Sequence, residues 1–142
     1  MSIHLNRKKI LCITFFLCCI LPACFTWFEN EAGTVSGLST LELPLLIATT
    51  LFAFALLFER PQFILPLGIL SHLLLLAFLF NSFLCFPVIS SEPESMDLAE
   101  SFRAVRPAFW ISFGLLLFHM ALFTTTEIAV RKLKKQSELT SN

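Results

Sequence analysis

The chain has 142 residues, 56% of them hydrophobic and 14% charged, with a mean hydropathy of +0.81. These values exclude an ordinary soluble domain and leave room for one integral membrane domain. Ten basic residues balance ten acidic ones, so the information lies in where the charges fall along the chain.

Residues 1–9 are polar and end in Arg7-Lys8-Lys9, and residues 10–28 follow without a charge. At 1.5 Å per residue such a run reaches roughly 28 Å, enough to cross the hydrocarbon core. It is expected to form a first transmembrane helix, with Pro22 bending its outer third. The same stretch also reads as a signal sequence, because the apolar run from Ile10 to Leu21 leads into Leu21-Pro22-Ala23-Cys24. That quartet resembles the lipobox of bacterial lipoproteins. The resemblance implies cleavage before Cys24 and lipidation of its thiol; Ala23 and Cys24 fit the pattern and Pro22 fits less well. Cys12, Cys18, Cys19 and Cys24 share one apolar run, where cysteines behave as small buried hydrophobes rather than as a disulfide framework.

Residues 29–42 form a polar loop with Glu29, Glu31 and Glu42 as its only charges and Gly33, Ser36, Gly37 and Ser39 as flexible elements. Ser39-Thr40-Leu41-Glu42 reads as a capping box, with Ser39 as N-cap and a helix beginning near Thr40. Residues 43–58 and 63–86 hold no charge and are expected to form a transmembrane hairpin about the turn 59–62, Glu59-Arg60-Pro61-Gln62. Residues 87–106 make an acidic loop in which Leu98, Phe102 and Val105 recur at helical spacing, the apolar edge of a short amphipathic helix. Residues 107–126 are expected to form a fourth span. Residues 127–142 close the chain as a basic tail with Arg131, Lys132, Lys134 and Lys135.

Basic residues in flanking loops set orientation. With both termini in the cytoplasm, the inner segments carry eight basic and three acidic residues, net +5, and the outer loops two and seven, net −5. Trp27 and Trp110 then fall at the outer ends of helices one and four, where an aromatic belt would stand. The expected fold is all-α and polytopic, four transmembrane helices in a compact bundle with both termini cytoplasmic, in a bacterial cytoplasmic membrane.

No carboxylate is expected inside a span, since Glu59 and Glu127 stand at helix ends, and this argues against a proton-coupled exporter. The sequence has no phosphate-cradling glycine loop, no paired carboxylates and no spaced metal motif. Each helix carries a small or polar seam at 100° per residue: Cys12, Cys19 and Thr26 in the first; Glu42, Thr49, Ala53 and Arg60 in the second; Gly68, Ser71, His72 and Ser82 in the third; and Ser112, His119 and Thr126 in the fourth. Such seams ordinarily face one another in a packed bundle. A sharper reading starts from depth, because His72 and His119 share a level and Cys18 comes out beside them. These three residues are the candidates for a transition-metal site, and the two histidines for a haem. The leading expectation is a non-enzymatic subunit, scaffold or accessory factor of the envelope, in contact with the bilayer and with other membrane proteins or copies of itself, and without a nucleic-acid partner. The alternatives are a haem- or metal-binding redox protein using His72 and His119, and a small-solute channel or carrier lined by Thr49, Ser71 and Ser112.

Overall fold

The computed structural model describes residues 2–30, 33–57, 61–90 and 102–140. The first helical path starts as α1, Ser2–Phe15, widens into a π turn at Phe16–Ile20 and tightens into a 3-10 turn at Leu21–Cys24. A two-stranded hairpin follows, β1 Thr26–Asn30 and β2 Gly33–Ser36. Three long helices complete the chain: α2 Gly37–Leu57, α3 Pro61–Ser90 and α4 Pro107–Thr140. The protein is overwhelmingly helical, and three of its helices are long and apolar enough to cross a membrane: Gly37–Leu57, Gln62–Leu84 and Pro107–Ser137. Their outward faces carry Leu43, Leu46, Phe54, Leu70, Leu73, Phe80, Ile111 and Phe118 in exposed positions, a surface suited to lipid rather than water.

All four helical paths enclose one core, with Leu11 and Phe15 from α1, Ala48 and Phe52 from α2, Leu75 and Leu79 from α3, and Leu116 and Phe123 from α4. The change of winding in the first path has a geometric cause. Its inward residues are Leu11, Phe15, Cys19 and Ala23, a period of four. In a regular α-helix four residues advance about 40° beyond a full turn, so three such steps would swing the stripe by roughly 120°. A π turn holds more residues per turn and absorbs part of that drift. Cys12, on the seam expected from 100° spacing, is accordingly exposed.

Thr26–Asn30 and Gly33–Ser36 pair as antiparallel strands where the sequence suggests a flexible loop from residue 29. Phe28 pairs with Val35, Glu29 with Thr34 and Asn30 with Gly33, and the register slips between Thr26 and Phe28. The slip sends Trp27 inward, where it is 1% exposed and stands edge-on to Phe109. Its indole N–H donates to the carbonyl of Pro22 at 3.2 Å, which satisfies the one polar group of a buried tryptophan. Trp27 is therefore a core residue and not part of an aromatic belt, whereas Trp110 is exposed as expected. The backbone N–H of Arg106 donates to the carbonyl of Trp27 at 2.7 Å, Phe28 bridges Val105, and Arg106 pairs with Glu29 at 2.5 Å. The hairpin is thus stitched to the start of α4.

Ser36, not Ser39, caps α2. Its hydroxyl oxygen accepts the backbone N–H of Ser39 at 3.2 Å, and the Ser39 hydroxyl returns a bond to the Ser36 carbonyl at 2.8 Å. With the cap at Ser36 the helix starts three residues earlier than the capping-box reading places it, and Ser39 at the third position donates to the cap carbonyl instead of accepting the cap N–H. Gly37 allows this start, because a Cβ there would run into the ring of Trp27. The expected amphipathic helix falls largely on residues 91–101, outside the described residues. Of its apolar edge, Phe102 is exposed and meets Phe83 and Trp110, while Val105 makes the bridge to Phe28.

Gly37→Ala is expected to lower stability by about 2 kcal/mol, the usual cost of forcing a methyl group into a packed core. Thermal unfolding of the purified protein in detergent measures it, and a variant as stable as the parent would refute the packing of Trp27 on Gly37.

Candidate functional site

The four helical paths bring one polar cluster together in the middle of the apolar core. His72 comes from α3 and His119 from α4, and both are 0% exposed. Their rings lie nearly parallel, with centroids 5.0 Å apart and planes at 15°, and Nε2 of His72 approaches Nδ1 of His119 to 2.7 Å. The shared depth read from the sequence is therefore a direct contact. His72 arrives because Gly68, Ser71, His72, Leu75 and Leu79 form one buried face of α3. Gly68 matters most on that face, since a Cβ there would strike the ring of Phe123. Without a side chain at Gly68, Phe123 lies directly on the α3 backbone and α4 comes close enough for the two histidines to meet.

Aromatic rings wall the pair. Phe15 stands edge-on to both imidazoles, with centroids 5.8 Å from His72 and 5.5 Å from His119. Phe52 does the same at 5.6 Å from each. Phe123 stacks on His72 at 5.8 Å, and Phe15 and Phe52 stack on each other at 4.2 Å. The pair has fixed partners at both outer ends. Nδ1 of His72 lies 2.6 Å from the Gly68 carbonyl, and Nε2 of His119 lies 3.1 Å from the hydroxyl of Thr14. Thr14 in turn lies 2.9 Å from the carbonyl of Ile10, one turn back on α1.

Proton bookkeeping along this chain is restrictive. A carbonyl only accepts, so His72 must carry a proton on Nδ1 and donate it to Gly68. If both rings are neutral, Nε2 of His72 is then an acceptor and Nδ1–H of His119 donates to it. That leaves Nε2 of His119 as an acceptor, and the Thr14 hydroxyl turns its hydrogen to the ring and away from the Ile10 carbonyl, which stands within α1. In this neutral arrangement every ring nitrogen has a partner; when an ion instead joins the facing nitrogens, His119 carries its proton on Nε2 and donates to Thr14, which is then free to donate to Ile10.

The third member of the cluster is Cys19. Its sulfur, with one nitrogen from each histidine, completes a set of three donor atoms within 4.8 Å of one another. Cys18, favoured by depth, is its neighbour in the π turn and does not belong to the set. The angular reading placed Cys19 on the inner seam of the first helix, and facing rather than depth decides which thiol enters. The stacked rings suit a small ion more than a haem. A haem needs a slot for its whole macrocycle between the rings, whereas Phe15, Phe52 and Phe123 pack directly on the pair.

The other polar candidates are engaged in packing. Ser71 donates across the α2–α3 interface to the Ala48 carbonyl at 2.8 Å. Thr49 donates to Leu45 and Ser112 to Ala108, each within its own helix. Because Thr49 is satisfied locally, the expected polar seam of α2 does not face inward; its buried face is Leu41, Leu45, Ala48, Phe52 and Ala55. Cys24 is exposed at the end of the 3-10 turn, its thiol 3.8 Å from the Ile20 carbonyl.

Sequence reading missed a buried ion pair. Glu127, taken for a helix end, lies well inside α4, which runs on to Thr140. It is 1% exposed and pairs with Arg7 of α1 at 3.3 Å. The signal was present in the sequence, because the polar segment from Glu127 onward has no Gly or Pro to end the helix. No family model, no curated protein and no solved structure matches the chain.

Glu127→Ala is expected to cost about 3–5 kcal/mol by stranding the Arg7 guanidinium, and the double variant Arg7→Met, Glu127→Leu to recover most of the loss. A double-mutant cycle on thermal stability measures both; additive losses would refute the coupling.

Proposed function

We propose that the protein is a four-span membrane protein with both termini in the cytoplasm, acting without catalysis as a subunit, scaffold or accessory factor for other membrane proteins. The observation that carries this reading is that the hydroxyls and imidazoles within the described helices bond inside the bundle, while its outward faces are apolar. Such a molecule offers partners a surface. It offers a solute no polar path through Ser71, Thr49 and Ser112, whose hydroxyls are already engaged.

Support for a retained first span comes from its part in the core. Phe15 stacks on Phe52, and Thr14 meets His119, so cleavage before Cys24 would remove both. Support for the orientation comes from the charge division, net +5 on one side and net −5 on the other.

Crosslinking in native membranes followed by pull-down tests the functional reading, and recovery of a stoichiometric membrane-protein partner or a second copy is the expected result. Solute flux in liposomes containing the protein alone would overturn it. Reporter fusions at the two ends are expected to read cytoplasm at both, and the intact mass to include residues 1–23.

A further inference from the structure

We propose that Cys19, His72 and His119 form a binding site for a single copper(I) ion. The donor set is one thiolate and two imidazoles, the combination that copper takes in three-coordinate sites, and a soft sulfur favours the monovalent ion. With metal bonds of about 2.0 Å to nitrogen and about 2.3 Å to sulfur, as zinc takes, donors around one trigonal ion lie about 3.5–3.7 Å apart. The facing nitrogens, 2.7 Å apart, part by about 0.8 Å, and the Cys19 sulfur, within 4.8 Å of a donor nitrogen of each histidine, draws in. The π turn that carries Cys19 is the element positioned to give that movement.

Two further observations suit copper(I) in this donor set. The first is what holds the histidines from behind. With copper on the facing nitrogens, His72 donates from Nδ1 to Gly68, His119 donates from Nε2 to Thr14, and Thr14 donates to Ile10, so the contacts at 2.6, 3.1 and 2.9 Å are kept while the 2.7 Å bond between the rings gives way to two metal bonds. Metal-bound histidines are ordinarily held in this way, by a fixed acceptor on the second ring nitrogen. The second observation is charge. The cage of Phe15, Phe52 and Phe123 supplies no counter-ion, and among the described residues no further cysteine, histidine or carboxylate joins the three. A zinc ion with one thiolate and two neutral imidazoles leaves a net positive charge in this apolar interior, and so does an imidazolium beside a neutral thiol. Copper(I) with one thiolate is neutral, and an uncharged centre is the one this environment accepts. Binding forms one Cu–S and two Cu–N bonds and releases the Cys19 thiol proton, with no change of oxidation state.

The test uses the full-length protein in detergent under anaerobic conditions, titrated with copper(I) against a chromophoric copper(I) chelator. One equivalent is expected to bind. Cys19→Ser is expected to weaken binding at least about 100-fold and Thr14→Val about tenfold, while Cys18→Ser binds as the parent does. Thermal unfolding of each apo variant verifies that it is folded. X-ray absorption of the loaded parent, which needs no variant, is expected to report one sulfur and two imidazole nitrogens. Failure to take up one equivalent, parent-like binding by Cys19→Ser, a sulfur-free copper environment, or preferential uptake of zinc over copper(I) would each overturn the proposal.

Discussion

The interior of this protein is governed by the cost of an unpaired polar group in a medium without water. Inside an apolar bundle a donor or acceptor left alone has nothing to turn to, so each must find its partner within the chain. The line Gly68, His72, His119, Thr14, Ile10 is how three helical paths meet that demand together. The fourth path, α2, meets it separately through the Ala48 carbonyl and Ser71, and contributes Phe52 to the wall. Removing any one link leaves a neighbour unsatisfied, which makes the polar core a single unit rather than a set of pairs.

Around that unit the packing is aromatic where bundles of this kind are often lined with small residues. Glycine stands where a ring must come close: Gly68 beneath Phe123, and Gly37 beneath Trp27. The two glycines sit at different levels and serve different joints. Gly68 lets α3 and α4 approach at the histidines, and Gly37 lets α2 begin against the hairpin. The hairpin end of the bundle is then closed by backbone pairing, as the strand from Thr26 meets both β2 and the segment at Val105 and Arg106. A strand at that position has its polar backbone satisfied on both sides, the condition for extended chain to persist beside a membrane-facing bundle.

Much of the helical layout was legible from hydropathy alone, because long uncharged runs admit few structures in lipid. The inner face of α3 was legible too, since Gly68, Ser71 and His72 cluster at helical spacing and each has a reason to turn inward. Where the reading failed, a local rule had been extended past its range. A fixed 100° per residue cannot describe a path that passes from α to π to 3-10, so Cys12 was placed inward and Leu11 overlooked. Thr49 was assumed to need a neighbour, yet a threonine in a helix can bond its own previous turn. The span was drawn through Trp27 on hydropathy, which cannot separate a buried strand from the end of an apolar helix. Glu127 reads as a boundary because it is charged, although one paired charge ends neither the helix nor the apolar segment Pro107–Ser137.

The partnership between Arg7 and Glu127 also bears on how the molecule is made. Arg7 precedes its partner Glu127 by more than a hundred residues, just as Thr14 waits for His119 across 105 residues. Contacts of such long range form late. Until α4 is inserted, the first helix holds an unneutralised arginine near its buried face and a threonine without its ring partner. A chain truncated before Glu127 therefore keeps its first helix polar on the face that the finished bundle buries, so the amino-terminal path is completed only by the last helix.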